Sequence, residues 1–149
     1  MNLLLCATDG SPSAGKALTL AIKIAKVTGA KLLIVHVKRR HGSEMVPDEL
    51  QFFARIHNAD ISEAAALEAE AQRVTGEAEA AVRKAGLTDV EKLIAEGDPT
   101  QQISEVAAAR HADAVVVGSR GRSEASGLLL GSVSHKVAQL VPCTCIIAR

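Results

Sequence analysis

Ala114-Val115-Val116-Val117-Gly118-Ser119-Arg120-Gly121 is the stretch on which the fold turns. Four apolar residues, three of them β-branched, run without polar alternation, the pattern of a strand covered on both faces. A glycine follows at once, a second comes three residues later, and Gly131-Ser132 opens a helical stripe of Val133, Val137, Leu140 and Val141. The stretch therefore reads as a buried strand, a glycine loop and a helix, the repeating unit of an α/β sheet.

The same unit recurs on either side. Leu3-Leu4-Leu5-Cys6-Ala7 is a strand, Ser11 caps a helix with Pro12 at its first position, and Ala14, Leu18, Ala21, Ile22 and Ala25 form its apolar stripe up to Gly29. Leu32-Leu33-Ile34-Val35 is a second covered strand. Residues 38–60 form a long, irregular connection with room for a short helix. From Ser62 a long helix is striped by Leu67, Ala71, Val74, Ala78, Val82 and Ala85 and ends at Gly86. Residues 90–95 are a more polar strand near a sheet edge, and Asp98-Pro99 starts a helix with Ile103, Val106 and Ala107 inward. Pro142 breaks the last helix, and Thr144-Cys145-Ile146-Ile147-Ala148 closes the chain. Unbroken alternation with right-handed crossovers predicts one doubly wound α/β domain over residues 1–149, with a parallel five-stranded sheet in the order 3-2-1-4-5 and helices on both faces.

Composition narrows the function. The 149 residues are 48% hydrophobic and 23% charged, with 17 basic and 17 acidic side chains. Zero net charge removes the phosphate-neutralising surface of a general nucleic-acid binder. Phe52 and Phe53 are the only aromatics, which removes a base-stacking platform. No apolar run approaches a membrane span. Cys6, Cys143 and Cys145 make no even disulfide framework, so a reducing cytoplasm is expected, with all three thiols in packing roles and no metal site.

Ligands of doubly wound sheets bind outside the carboxyl ends of the strands. Three loaded segments sit there: Ala7-Thr8-Asp9-Gly10-Ser11, His36-Val37 and Gly118-Ser119-Arg120-Gly121-Arg122. Glycines admit a phosphate close to the backbone, and Ser132, Val133 and Ser134 occupy a helix first turn whose N–H groups favour anions. Val at position 131, or at 118 and 121 together, is expected to abolish binding and leave the fold. The segment Gly10-x4-Gly15-Lys16-Ala17 imitates a phosphate-binding P-loop, but Ala17 cannot serve magnesium and the helix has already begun. His36 reads as a pocket-rim or hydrogen-bonded structural residue and not a catalyst, His135 as solvent-facing and Lys38-Arg39-Arg40-His41 as a solvated turn, while Arg120 or Arg122 is placed to touch a polyphosphate.

Gly118-x2-Gly121-x9-Gly131-Ser132 resembles the G-x2-G-x9-G-S/T signature of the ATP-binding branch of the universal stress proteins. Asp9-Gly10-Ser11, His36-Val37 and Val141-Pro142-Cys143 resemble the family's other landmarks, so the likeness covers essentially the whole chain. The resemblance implies ATP or another adenine nucleotide as ligand, with or without Mg or Mn. It implies adenine beside Ala7, Asp9 and Val37, with Val37 giving backbone contacts, and ribose and phosphates on Gly118, Gly121, Gly131, Ser132, Val133 and Ser134. Val117 lines the base or ribose pocket on the same reading, and Ala7 stands where some ATP-bound members carry Pro. The implied function is a nucleotide-responsive stress-response module that acts through conformation, a homodimer built on the last strand and a protein partner not identified by the sequence. The alternative is a slow or self-phosphorylating ATPase, for which no catalytic residue is assigned; the binding module is favoured because no general base stands beside a water site.

Overall fold

A computed structural model describes residues 1–39, 63–122 and 130–149. The expected connection with its two phenylalanines, Arg40, His41 and Ser62, and the middle of the 118–131 loop, lie outside the described residues. The elements in chain order are β1 (Leu3–Ala7), α1 (Pro12–Thr28), β2 (Lys31–Lys38), α2 (Glu63–Lys84), β3 (Val90–Glu96), α3 (Pro99–Ala109), β4 (Ala114–Gly118), α4 (Ser132–Leu140) and β5 (Thr144–Ala148).

All four strand pairings are parallel, and the order is β3-β2-β1-β4-β5. The sheet is that expected from the alternation. Its continuous apolar runs split by side-chain parity into two cores. Leu4, Cys6, Leu32, Ile34, Ala114 and Val116 face α1 and α2, while Leu5, Leu33, Val35, Val115 and Val117 face α3 and α4. Burial pushes the Cys6 thiol up to about 12, so it packs as a neutral group.

Local chemistry sets the helix ends. The Ser11 hydroxyl accepts from the Ala14 N–H at 3.2 Å and Pro12 starts α1, while Gly29 closes it in the left-handed region at φ 71°. Asp98 caps α3 through the Gln101 N–H at 2.9 Å, again with Pro first. Val141, expected inside the last helix, is instead its extended C-cap at φ −69°, ψ 139°. Pro142 forces this, because the residue before a proline is driven out of the helical region.

Ala14, Ala17, Ala21 and Ala25 make up the buried face of α1 together with Leu18, and these four small residues let the helix lie close on the sheet. The approach is tightest at Gly118, where an added Cβ would stand 2.7 Å from the Ser13 carbonyl carbon and 2.8 Å from the Ala14 nitrogen. Gly118 is therefore a packing glycine, and the expectation that a branched side chain there would spare the fold is corrected. Backbone on both sides of that contact has no rotamer with which to yield. The opposite case is Gly76 in α2, where an added Cβ meets nothing within 4 Å. Gly118→Ala should lose about 1–3 kcal/mol of stability through overpacking, whereas Gly76→Ala should gain about 1 kcal/mol from helix propensity. Urea denaturation midpoints of the two variants check both signs.

Candidate functional site

The carboxyl ends of β1 and β4 meet through the first turn of α1. At the end of β1, the Thr8 N–H continues the ladder to the Val35 carbonyl at 2.9 Å. The Thr8 carbonyl accepts from His36 Nδ1 at 2.9 Å, which fixes the proton on that nitrogen and makes buried His36 structural, as expected. Asp9 then turns the chain: its Oδ1 accepts from the Ser11 N–H at 2.9 Å, and Gly10 takes φ 77°. Helix α1 has begun before Gly15 and Lys16, so the P-loop imitation is excluded by the fold.

At the end of β4 the loop is tied down residue by residue. The Ser119 N–H donates to the Ala148 carbonyl at 2.8 Å, and its carbonyl accepts from the Gly131 N–H at 2.7 Å. Ser13 Oγ lies 3.3 Å from Ser119 Oγ and accepts from the Arg120 N–H at 3.2 Å. The Arg122 N–H donates to Asp9 Oδ2 at 3.1 Å. Gly121 is needed for that contact, since a Cβ there would stand 2.9 Å from the same oxygen. The Asp9 carboxylate thus joins the β1 turn to the β4 loop.

Helix α4 opens on this loop. Gly131, in extended conformation, is its N-cap without a side-chain hydrogen bond, so the N–H groups of the first turn lack intrahelical acceptors. The Ser134 hydroxyl donates to the Gly118 carbonyl at 2.6 Å and is buried, so its side chain holds α4 to β4. Ser132 and Val133 line a cleft of about 440 Å³, together with Arg39, Gly97, Asp98, Pro99, Thr100 and Lys136. Two basic side chains against one carboxylate, beside two helix N-termini, make that cleft favourable to an anion.

The residues singled out from sequence divide between the two faces of the sheet. Ala7, Val37, Val117 and Val133 share the core face of α3 and α4. Val117 is fully enclosed there, under the strand ends, and does not border the cleft. Asp9, Gly118 and Gly121 gather on the side of α1, while Gly131 and Ser132 bridge the loop to α4. His135 is exposed, as expected. Burial, followed in effect by Asp113, pushes the Cys143 thiol up, and burial followed by Cys143 does the same at Cys145. Both therefore stay protonated packing groups. Among the described residues no group of three or more His, Cys, Asp or Glu side chains is arranged to hold a metal ion, and no helix is long and apolar enough to cross a membrane.

One participant escaped the sequence reading. Glu70 of α2 is buried, with Arg73 Nε and Nη2 each 2.8 Å from its carboxylate, and it also pairs with Arg122 Nη2. Hydrogen bonds from Arg73, opposed by burial and reinforced by Arg122, hold its carboxyl at about 2. The signal was present: Ala66, Glu70 and Val74 recur at helical spacing, and a carboxylate on an apolar stripe demands a cation. Arg122, one of the two arginines of which one was expected to touch a polyphosphate, is engaged by this carboxylate.

Comparison with known proteins agrees with this architecture. The model of the universal stress protein family matches residues 1–149. A universal stress protein of Bacillus subtilis, YxiE, is 34% identical over 99% of both chains, and one from Thermus aquaticus is 33% identical over 98% of this chain and 97% of its own length. Among solved structures, UspA of Lactobacillus plantarum superposes with a TM-score of 0.78 at 22% identity, covering 99% of this chain and 97% of that one. A universal stress protein in complex with cAMP superposes with a TM-score of 0.72 at 30% identity, covering the same shares of the two chains. By sequence over its full length and by strand order, the chain belongs to the universal stress protein family.

Proposed function

We propose that the protein is an adenine-nucleotide-binding module of the stress response, that its ligand is ATP, and that binding acts through conformation and dimerisation. The observation that carries this reading is the first turn of α4, whose Ser132 and Val133 border the cleft at the strand carboxyl ends. Ribose and phosphates would lie along Gly118, Gly121, Gly131, Ser132, Val133 and the Ser134 backbone, with Lys136 adding positive charge and Asp9 near the ribose. The base would rest at the strand ends above Ala7 and Val37, with Val117 as the packed layer beneath. The relative of 30% identity is a complex with cAMP, which supports an adenine nucleotide in this fold. Universal stress proteins in complex with dAMP and with AMP share the fold.

Nucleotide released by denaturing the purified protein and identified by mass should be ATP. ADP with free phosphate would replace the binding reading by hydrolysis, and no binding of any adenine nucleotide would overturn both. Ser132→Pro sharpens the test. Proline suits the first helical position, and Gly131 at ψ 159° already has the conformation required before it. The variant should keep its fold and lose about tenfold in ATP affinity by calorimetry, because one N–H and one hydroxyl leave the helix terminus.

The dimer is proposed on β5. Among the described residues this strand pairs only with β4, and residues 143–148 include no Lys or Glu to guard its outer edge. A two-fold axis would pair it antiparallel with itself. The Ser119 N–H donates to the Ala148 carbonyl, so Ala148 and, by alternation, Ile146 turn their backbone groups to β4, and it is Ile147→Pro that removes a donor from the outer edge. Light scattering should show a native dimer and a monomeric variant; a native chain that stays monomeric at high concentration overturns the interface.

A further inference from the structure

Arg122 is the last described residue before the middle of the 118–131 loop, and both ends of it are tied outside that loop. Its N–H donates to Asp9 Oδ2 at 3.1 Å, and its guanidinium crosses to Glu70 on α2. The crossing runs over Gly10, where an added Cβ would stand 2.8 Å from Arg122 Nη2 and 3.0 Å from a Val74 methyl. The side chain of Glu70 is only 10% exposed, and Arg73, paired also with Glu77 at 2.8 Å, clamps the carboxylate from the far side. A nearly buried carboxylate between two half-exposed guanidiniums is a fixed anchor, since the carboxylate left alone there would be costly.

We propose that Glu70 is a positioning residue of the nucleotide site: it holds Arg122, and through it the 118–122 segment, in the geometry that receives the ligand. On this assignment Arg122 is a tether and not a phosphate ligand. The inference rests on the nucleotide reading for its functional consequence, while the tether itself can be read without any nucleotide. The two roles for Arg122 predict opposite signs when its partner is neutralised. A tether loses its anchor and affinity falls. A phosphate ligand held back by a competing carboxylate is released and affinity rises.

The test uses the full chain with Glu70→Gln, Arg122→Gln, the double variant and Arg122→Lys, each measured for ATP affinity by calorimetry and for amide hydrogen exchange without nucleotide. In both Gln variants the amide of residue 122, which donates to Asp9, should exchange about tenfold faster, while Val115 and Val116 in β4 keep their protection. ATP affinity should fall about tenfold in each single variant, should fall no further in the double variant, and should largely return in Arg122→Lys. Tighter ATP binding by Glu70→Gln overturns the proposal, as does loss of affinity in Arg122→Gln alone. Unchanged exchange at Arg122 overturns it whatever the affinities. If the native chain binds no adenine nucleotide, the functional reading fails, and the exchange rates decide the tether on their own.

Discussion

The contact between Gly118 and the first turn of α1 is the constraint around which this molecule is built. Strand β4 and helix α1 meet there backbone to backbone, with Ser13 and Ala14 where any side chain at position 118 would be. That approach brings Ser13 Oγ within reach of both Ser119 and the Arg120 N–H. It also fixes the distance between the β1 turn and the β4 loop, so that a single carboxylate, Asp9, can accept from Ser11 on one side and Arg122 on the other. The loop geometry thus follows from helix packing, as a consequence of a contact made beneath it.

The two faces of the sheet contribute different chemistry at its carboxyl end. On the α3 and α4 side the strand ends carry aliphatic residues that continue the core, with the cleft and its basic rim opening above. On the α1 and α2 side the same strand ends are polar and heavily cross-linked, from Asp9 through Arg122 to Glu70 and Arg73. A loop bound on its polar side is held without occupying its other side. That division anchors a segment with two glycines within four residues through Ser13 and Asp9 where it leaves β4.

Much of this was legible in the residues. The strands announced themselves as uninterrupted apolar runs, and Ser11-Pro12, Gly29 and Asp98-Pro99 marked helix boundaries by chemistry that acts within a few residues. The signature glycines located the loop. What the sequence left hidden are roles set by distant partners. The Ser134 hydroxyl looked available because its acceptor, the Gly118 carbonyl, is 16 residues away, and Arg122 looked like a ligand because its carboxylate is 52 residues away. Gly118 was read only for its approach to a phosphate, while its tight packing against the first turn of a helix more than 100 positions earlier in the chain had no local signal. Local pattern sees the type of group; only the assembled sheet shows which groups are already engaged.

The position of β1 between β2 and β4 carries a further consequence for the newborn chain. Synthesis runs from the N-terminus, and β1, β2 and β3 are complete by Glu96. The second edge of β1 must wait for Ala114 and its successors, so a nascent chain holds its most apolar strand half-paired until the last third emerges. The cleft is divided the same way, with one rim at Arg39 and at Gly97, Asp98, Pro99 and Thr100, and the other at Ser132, Val133 and Lys136. The cleft is therefore complete only once α4 has docked beside the start of α3, after β4 has joined the free side of β1.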